Sequence, residues 1–263
     1  MVKFCSLFSS SSGNCEYLTD GSTALLIDAG VSCKRVTEAL QGMGQDPGAI
    51  AGVLITHEHS DHIKGVSVLC RKYGIPVYAN APTAEHMDIV KKEQVEFRIF
   101  ENGRPFAIGD IEITPFETPH DAVSPVGYRF AFPKEGKTIG LATDMGCVTD
   151  TVHNNLMGCD LAFIESNHDR NMLLNGSYPY ALKRRILSDR GHLCNDDCGI
   201  LARDLIRSGT RQLILGHLSH ENNLPQIAYM TSRHVLEQSG MVEMKDYLLS
   251  VAGRDCRGEL LAL

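Results

Sequence analysis

The 263-residue sequence predicts an α/β protein in which sheets are flanked by helices. Short apolar runs of β-type composition recur along the chain, and stretches with helical periodicity separate only some of them. Apolar residues make up 43% of the sequence, which is ample for a sizeable core. Because no low-complexity linker, long charge run or repeat divides the chain, we predict a single domain over residues 1–263.

Ten segments have the composition of strands. They are KFCSLF, TALLIDAG, AGVLITH, IPVYAN, FRIF, IEITPFETPH, VGYRFAF, TIGLATD, LAFIES and RQLILGH. Four segments predict helices: IKGVSVLCRKYG (63–74), PTAEHMDIVKKE (82–93), DDCGILARDLIRSG (196–209, beginning near Asn195) and PQIAYMTSRHVLEQSG (225–240). In the last of these, an early proline and a closing glycine mark the two ends.

Charge and cysteine content restrict the class of protein. The formal net charge is −7, which argues against coating nucleic acid through a positive field, so any polyanion must be gripped locally. Nine cysteines lack the paired spacing of a secreted disulfide framework, so we expect reduced thiols and a cytoplasmic location. No apolar run approaches the ~20 residues that span a bilayer, and the opening MVKFCSLF is too short for a signal peptide.

Four apolar segments are each followed directly by a residue of a type that binds metal ions. AGVLIT runs into His57 and ITPFETP into His120. TIGLAT runs into Asp144, and QLILG runs into His217. Strand ends and the loops that follow them are where a rigid sheet positions chemistry, so this pattern predicts a functional site.

The densest polar feature is THEHSDH, residues 56–62. Side chains alternate along an extended chain, so His57 and His59 project together, while Asp61 and His62 open the next helix and can point back. Several imidazoles and a carboxylate packed for structure alone would leave polar groups unpaired, and a divalent metal removes that conflict. For the cluster, the alternative is a solvated histidine-rich loop; any single histidine is more often structural.

This motif, followed by His120, Asp144 and His217 at strand ends, resembles the metallo-β-lactamase superfamily. The resemblance implies a four-layer αβ/βα sandwich with two metal ions at the sheet edge. It also implies which residues hold them: the first metal is held by His57, His59 and His120, the second by Asp61, His62 and His217, and Asp144 bridges the two. Asp28, which ends ALLID, resembles the superfamily's structural aspartate, and a plain strand-end hydrogen bond is the other interpretation.

Differences between this sequence and individual branches of the superfamily exclude some of the possible activities. The resemblance implies that a common zinc β-lactamase would carry cysteine at position 144, and a flavodiiron oxidoreductase would carry glutamate at position 59. A glyoxalase II thioesterase would need a helical domain, for which the residues after His217 leave little room. The phosphodiesterases remain.

The charge of such a site also suits a phosphodiester. Two divalent metals with a bridging hydroxide leave net positive charge in an open cleft, and that hydroxide would attack phosphorus while the metals hold the phosphate oxygens. Nitrogen and oxygen ligands without thiolate permit zinc or manganese.

Further segments resemble one subgroup, the WalJ (YycJ) proteins, nucleases related to RNase J and RNase Z. The segments are SSSSGNC, ESNHD, RRILSDRGHLCND and GHLSHENN. RNase J relatives insert a large domain between the positions that match Asp144 and His217, and this chain lacks it. The resemblance implies a 5′-to-3′ exonuclease that acts on DNA rather than RNA, with no membrane partner.

The candidate substrate-binding residues lie in two of these segments. Ser11, Ser12, Gly13 and Asn14 could present hydroxyls and backbone N–H groups to a phosphate, or form an ordinary hairpin loop. Asn167 and His168 follow LAFIES and could bind substrate or cap a loop.

Three further positions carry candidate roles. His192, with Asn195 just after it, could bind the scissile phosphate or protonate the leaving oxygen, or could join Cys194 and Cys198 in a structural zinc site. His220 could deliver a proton, and His220 and Glu221 could instead orient His217 from a second shell. We expect Asp61, His192 and His220 to be catalytic.

The basic run Lys183–Arg185, with Arg190, could steer a polyanion, although most such runs are solvated helix faces. Two other functions stay open from the sequence. One is a small-molecule hydrolase, either a cyclic phosphodiesterase or a thioesterase. The other is a partner-binding module that keeps its metals for stability.

Overall fold

Two mixed β-sheets of seven strands each form the centre of the protein. The computed structural model describes residues 1–87 and 95–263. Its strands are β1 (Lys3–Phe8), β2 (Cys15–Thr19), β3 (Ala24–Ile27), β4 (Ile50–Leu54), β5 (Val77–Asn80), β6 (Phe97–Phe100), β7 (Phe106–Ile108), β8 (Ile111–Glu117), β9 (Val126–Phe132), β10 (Lys137–Ala142), β11 (Leu161–Glu165), β12 (Gln212–Gly216), β13 (Leu248–Val251) and β14 (Leu261–Ala262).

The two sheets have matching layouts. The first has the order β14-β1-β2-β3-β4-β5-β6, and the second has the order β13-β12-β11-β10-β9-β8-β7. Strands β3 to β6 run parallel in the first sheet, as do β10 to β13 in the second. Each sheet therefore gathers the carboxyl ends of several strands at one edge.

Helices cover the outer face of each sheet. They are α1 (Cys33–Gln41), α2 (Ser60–Ile63), α3 (Val66–Tyr73), α4 (Ala81–His86), α5 (Asp150–Leu156), α6 (Arg170–Asn175), α7 (Tyr180–Ile186), α8 (Asn195–Arg207) and α9 (Pro225–Gln238), with a 3₁₀ turn at Pro47–Ala49. Among the described residues, none of these helices is both long and apolar enough to cross a membrane.

The core has three apolar layers. One lies between the sheets and includes Phe4 and Phe163. The second packs the first sheet against α1 and α3, through residues such as Leu40 and Leu69. The third packs the second sheet against α5, α8 and α9, with Leu205 in its interior. The result is the predicted four-layer αβ/βα sandwich.

All ten predicted strands are present, but the sequence analysis missed four: β7, β13 and β14, which are edge strands, and β2, which lies between β1 and β3. The predicted helix at 63–74 is two helices, α2 and α3, because the N–H of Gly65 donates to the Ala29 carbonyl oxygen at 2.8 Å and the Asp61 carbonyl oxygen accepts from Asn14 instead. The predicted helix at 82–93 is confirmed only as α4, and residues 88–94 lie outside the described residues. Helices α8 and α9 fall where they were predicted.

Three strand-end residues have a left-handed backbone. Asp28, Asp144 and His217 have φ values of 58°, 56° and 55°. L-residues other than glycine adopt this conformation at a cost and mostly where the surrounding structure imposes it, often at functional sites. It turns each of these side chains sharply away from its strand, at the edge where the candidate ligands meet.

Candidate metal centre

The predicted ligands converge from both sheets. His57 follows β4 in the first sheet, whereas His120, Asp144 and His217 follow β8, β10 and β12 in the second. The loop that carries His57 is held close to the end of β3, because a Cβ on Gly30 would lie 1.6 Å from the backbone oxygen of Asp61. A glycine is therefore needed at position 30.

The first ligand group contains three imidazoles. His57, His59 and His120 place one ring nitrogen each within 4.8 Å of the others. His57 Nε2 and His59 Nδ1 are 3.1 Å apart. Two ligand atoms of one ion with ligand distances of ~2.0–2.2 Å lie about 2.8–3.1 Å apart at a 90° angle and about 3.3–3.6 Å apart at the tetrahedral angle, so a spacing of 3.1 Å suits two ligands of one metal ion.

The second ligand group mixes imidazole and carboxylate. Asp61 Oδ2 lies 3.5 Å from His62 Nε2 and 3.7 Å from His217 Nε2. Asp144 lies between the groups: its Oδ2 is 3.4 Å from His62 Nε2, and its Oδ1 is 3.4 Å from His217 Nε2 and 3.8 Å from His120 Nε2. One carboxylate thus reaches ligands of both groups.

Outer contacts turn four of the imidazoles so that Nε2 faces inward. The Nδ1 atoms of His62 and His217 lie 2.7 Å from Asp28 Oδ2 and 2.9 Å from Glu165 Oε1. His120 Nδ1 lies 3.0 Å from the Gly191 carbonyl oxygen, to which it donates, and His57 Nδ1 lies 3.0 Å from Thr56 Oγ1. Such partners fix the ring orientation of a ligating histidine.

Unpartnered polar atoms support a metal at this place. His120 Nε2, Asp144 Oδ2 and His217 Nε2 are buried and have no hydrogen-bond partner. Buried polar atoms are nearly always satisfied, and leaving three together at one point is costly. Cations in the two ligand groups would satisfy all three, so the residues fit a metal centre.

The two groups differ in the charge they favour before metal binds. In the first, burial and then the neighbouring imidazoles hold the pKa of His57 well below its usual value, and burial also lowers the pKa of His120 despite nearby Asp144. In the second, burial opposes protonation, but Asp144 and the other carboxylates raise the pKa of His217 to about 10 and that of His62 well above its usual value. For Asp61, burial is outweighed by His62 and His217, which keep its pKa low.

Glu165 is a site residue that the sequence analysis missed. It is fully buried at the end of β11, and its Oε1 lies 2.9 Å from His217 Nδ1 and 2.8 Å from His192 Nδ1. Burial opposes its ionisation, but His192 and His217 hold the pKa of Glu165 far below its usual range. The available signal was its position, because Glu165 ends an apolar strand as the predicted ligands do.

His192 joins the cluster. Its ring lies between those of His120 and His217, with centroid distances of 5.0 Å and 5.3 Å. With Nδ1 held by Glu165, its Nε2 remains for a ligand or substrate. The alternative structural zinc site is not present among the described residues, because no cluster of potential metal ligands there includes a cysteine. The Cys194 sulfur instead accepts a hydrogen bond from the backbone N–H of Asp197 at the start of α8.

The predicted serine-glycine loop reaches the site through its last residue. Ser11 and Ser12 form an exposed turn, and Gly13 packs against Val31. Asn14 is buried, and its Nδ2 lies 3.2 Å from His62 Nε2. The loop is also tied to the opposite sheet, because the backbone N–H of His217 donates to Ser9 Oγ at 2.7 Å.

Three predicted substrate residues are buried instead. The Asn167 amide donates to the His217 carbonyl oxygen at 2.9 Å, so it braces that ligand. Asn195 accepts from Ser166 Oγ at 2.7 Å within an interior network of amides, because its side chain turns inward at the start of α8. His168 is 1% exposed, and neither of its ring nitrogens has a partner. None of the three offers a free polar surface to substrate.

His220 and Glu221 are exposed, and no hydrogen bond from either to His217 is present in residues 1–87 and 95–263. The carboxylate that contacts His217 Nδ1 is that of Glu165. Of the basic run, Lys183 donates to backbone carbonyls, Arg184 lies over the Tyr180 ring, and Arg190 donates to the His120 carbonyl oxygen.

Comparisons with known proteins agree with this geometry. The profile of the beta-lactamase superfamily domain matches residues 23–218. The exodeoxyribonuclease WalJ of Streptococcus pneumoniae serotype 2 (strain D39) is 42% identical over 252 residues, covering 93% of each chain. The exodeoxyribonuclease YycJ of Bacillus anthracis is 43% identical over 243 residues, covering 91% of this chain and 90% of its own.

Solved structures agree on the fold. The metallo-beta-lactamase fold protein YhfI of Bacillus subtilis superposes with a TM-score of 0.73 at 18% identity, covering 98% of each chain. Human tRNase Z, short form, superposes with a TM-score of 0.68 at 13% identity, covering 99% of this chain and 100% of its own. The chain therefore belongs to the beta-lactamase superfamily and, within it, to the family of the WalJ and YycJ proteins.

Proposed function

We propose that this protein is a metal-dependent phosphodiester hydrolase, a 5′-to-3′ exonuclease that acts on DNA. The proposal is supported by the cluster of the seven predicted ligand residues, three atoms of which are buried without a hydrogen-bond partner. It is also supported by a relative, 42% identical to this chain, that is named as an exodeoxyribonuclease. We also propose that two divalent ions, zinc or manganese, occupy the two ligand groups, because the donors are nitrogen and oxygen without thiolate.

Divalent metal, when bound, stabilises charge on the phosphate and lowers the pKa of the attacking water. The chain's own residues supply the rest. Asp28 and Glu165 hold the imidazoles of His62 and His217 in place. His192 lies at the edge of the cluster with its side chain 16% exposed, so its Nε2 can contact the phosphate.

The hydrolysis also needs a proton for the leaving group. A bond forms between water oxygen and phosphorus, the bond from phosphorus to the leaving sugar oxygen breaks, and that oxygen takes up a proton. His192, held through Nδ1 by Glu165 at 2.8 Å, is the residue we propose to donate it from Nε2. Water supplies the balancing proton.

All nine cysteines are free thiols, which agrees with the proposal that the protein works in the reducing cytoplasm.

The decisive experiment uses metal-loaded protein and end-labelled single- and double-stranded DNA and RNA with 5′-phosphate or 5′-hydroxyl ends. We expect mononucleotides to be released from the 5′ end of DNA, and Asp61→Asn to abolish the release. Full activity after complete metal removal would contradict the proposal. Turnover of cyclic nucleotides or thioesters with none of oligonucleotides would favour a small-molecule hydrolase. A lowered melting temperature without any turnover would favour a binding module.

A further inference from the structure

An aspartate and an arginine form a two-point ion pair beside the first ligand group. Asp121 directly follows the ligand His120, and Arg185 lies in the last turn of α7. Arg185 Nη2 donates to Asp121 Oδ1 at 2.9 Å, and Arg185 Nε donates to Asp121 Oδ2. The edge of the guanidinium formed by Nε and Nη2 is thus held by the carboxylate, whereas Nη1 makes no hydrogen bond within residues 1–87 and 95–263 and can donate to a phosphate oxygen.

The pair lies at the rim of the metal centre. Asp121 Oδ1 is 3.4 Å from His120 Nε2, the nitrogen that faces inward. The Asp121 hydrogen bonds, and beyond them the carboxylates of Asp61 and Asp144, raise the pKa of Arg185. Asp61 is part of the second ligand group, and Asp144 lies between the two groups. The side chains of Arg185 and Asp121 are 50% and 31% exposed, so the edge of the guanidinium that Asp121 leaves free is accessible to a ligand in the cleft.

The backbone around Arg185 is fixed to the same ligand. The Gly191 carbonyl oxygen accepts from His120 Nδ1 at 3.0 Å, and the Arg190 guanidinium donates to the His120 carbonyl oxygen at 2.8 Å. The N–H of His192 donates to the Ile186 carbonyl oxygen, which joins this loop to the end of α7. Arg185 therefore has a set position relative to the metals, as a group that binds a phosphate must.

We propose that Arg185 is a catalytic residue that binds the scissile phosphate, and that Asp121 is a positioning residue that holds the guanidinium at the rim. This inference rests on the proposed function, because it assigns the phosphate of that reaction a second cationic contact. In a chain with a net charge of −7, the phosphate needs a cation close to the metals. A guanidinium aimed at the non-bridging oxygens stabilises the charge of the transition state.

The test compares Arg185 with its neighbour Arg184. Arg184→Ala is the matched control, because it removes the same charge from the same helix, while its guanidinium lies over the Tyr180 ring at 6.0 Å. We compare five metal-loaded proteins: wild type, Arg184→Ala, Arg185→Ala, Arg185→Lys and Asp121→Asn. For each we measure the binding of inorganic phosphate, and kcat and KM on a chromogenic phosphodiester and on DNA. Metal content and melting temperature are measured as controls.

For Arg185→Ala we expect inorganic phosphate to bind about tenfold more weakly and kcat to fall about a hundredfold, with metal content unchanged. Arg185→Lys keeps the charge but loses the planar guanidinium, which binds Asp121 through one edge and leaves donors for phosphate on another, so it should recover only part of both. Asp121→Asn should show a smaller loss, mainly in KM. If Arg185→Ala fails to fold, Arg185→Lys carries the test alone.

Arg185 variants that bind phosphate and turn over substrate like Arg184→Ala would overturn the proposal. So would a metal-loaded wild type that binds no inorganic phosphate. A lowered melting temperature with normal phosphate binding and normal kcat would make the ion pair merely structural. Since phosphate binding and cleavage of the chromogenic phosphodiester are measured without nucleic acid, a wild type that does both but does not cleave DNA would refute the proposed exonuclease function and leave the role of Arg185 standing.

Discussion

The two ligand groups of the metal centre lie side by side and differ in charge. The first consists of imidazoles alone, and burial lowers the pKa values of His57 and His120. The second places His62 and His217 against carboxylates, which raise their pKa values despite burial. The second group therefore favours protons on the nitrogens that would hold metal, whereas His57 and His120 in the first favour the neutral form. We therefore expect metal and protons to compete more strongly in the second group.

Removing the residue shared by both groups should have the largest effect. Asp144→Asn changes the one carboxylate that lies within 3.8 Å of ligand nitrogens in each group. We expect activity to fall by more than the ~10–100-fold typical of an outer-shell partner. The measurement is elemental metal content beside turnover. Retention of both metals and near-wild-type turnover would show that Asp144 does not join the groups.

Loss of an outer carboxylate should act on the second group. Glu165→Gln weakens the contacts to the Nδ1 atoms of His217 and His192, at 2.9 Å and 2.8 Å. We expect metal affinity or activity to fall about 10–100-fold. Glu221→Gln is the matched comparison, because its side chain is exposed and makes no hydrogen bond to His217 in the part of the chain that the structure describes. Equal losses in both variants would restore the role that the sequence assigned to Glu221.

The pH dependence of metal binding should separate the groups. The raised pKa values of His62 and His217 mean that metal must displace their protons at neutral pH, so affinity of the second group should rise with pH until about 10, the pKa of His217. The lowered pKa values of His57 and His120 predict little release of protons from these two residues above pH ~6.5. Calorimetry in buffers of different ionisation enthalpy measures the protons released. Release of no protons at pH 7 would contradict the comparison.

The smallest effect is expected at the hydroxyl that touches both groups. Thr56 Oγ1 donates to Asp28 Oδ2 at 2.7 Å and lies 3.0 Å from His57 Nδ1 and 3.2 Å from His62 Nδ1. Thr56→Val keeps the shape and removes the hydroxyl, so we expect a loss of about 1–3 kcal/mol in the free energy of unfolding. Denaturant unfolding of the metal-free protein measures it. No loss would mean that the hydroxyl does not help to hold the two groups in place.

Much of the fold was predictable because its signals are local. Apolar runs such as LAFIE and QLILG form buried strands wherever they pack, and α8 and α9 show a helical period over thirteen and fourteen residues. Edge strands such as β14, with two residues, have no such signal and exist only because a neighbour pairs with them. The split between α2 and α3 depends on packing around Gly65, which periodicity cannot reveal.

The sequence by itself predicted the ligand types and their order. HEHSDH is a run of consecutive residues, and His120, Asp144 and His217 each follow directly after an apolar segment. Tertiary structure decided what faces those ligands. Glu165 stands in the segment ESNHD and Asp121 follows His120, but neither position reveals what the side chain contacts, because the partners His192 and Arg185 are 27 and 64 residues away along the chain. Asn195, which the sequence pattern favoured for substrate, turns into a buried network. Side-chain direction and the charges around a group depend on residues that only folding brings together, so ligand identity is local information and ligand environment is not.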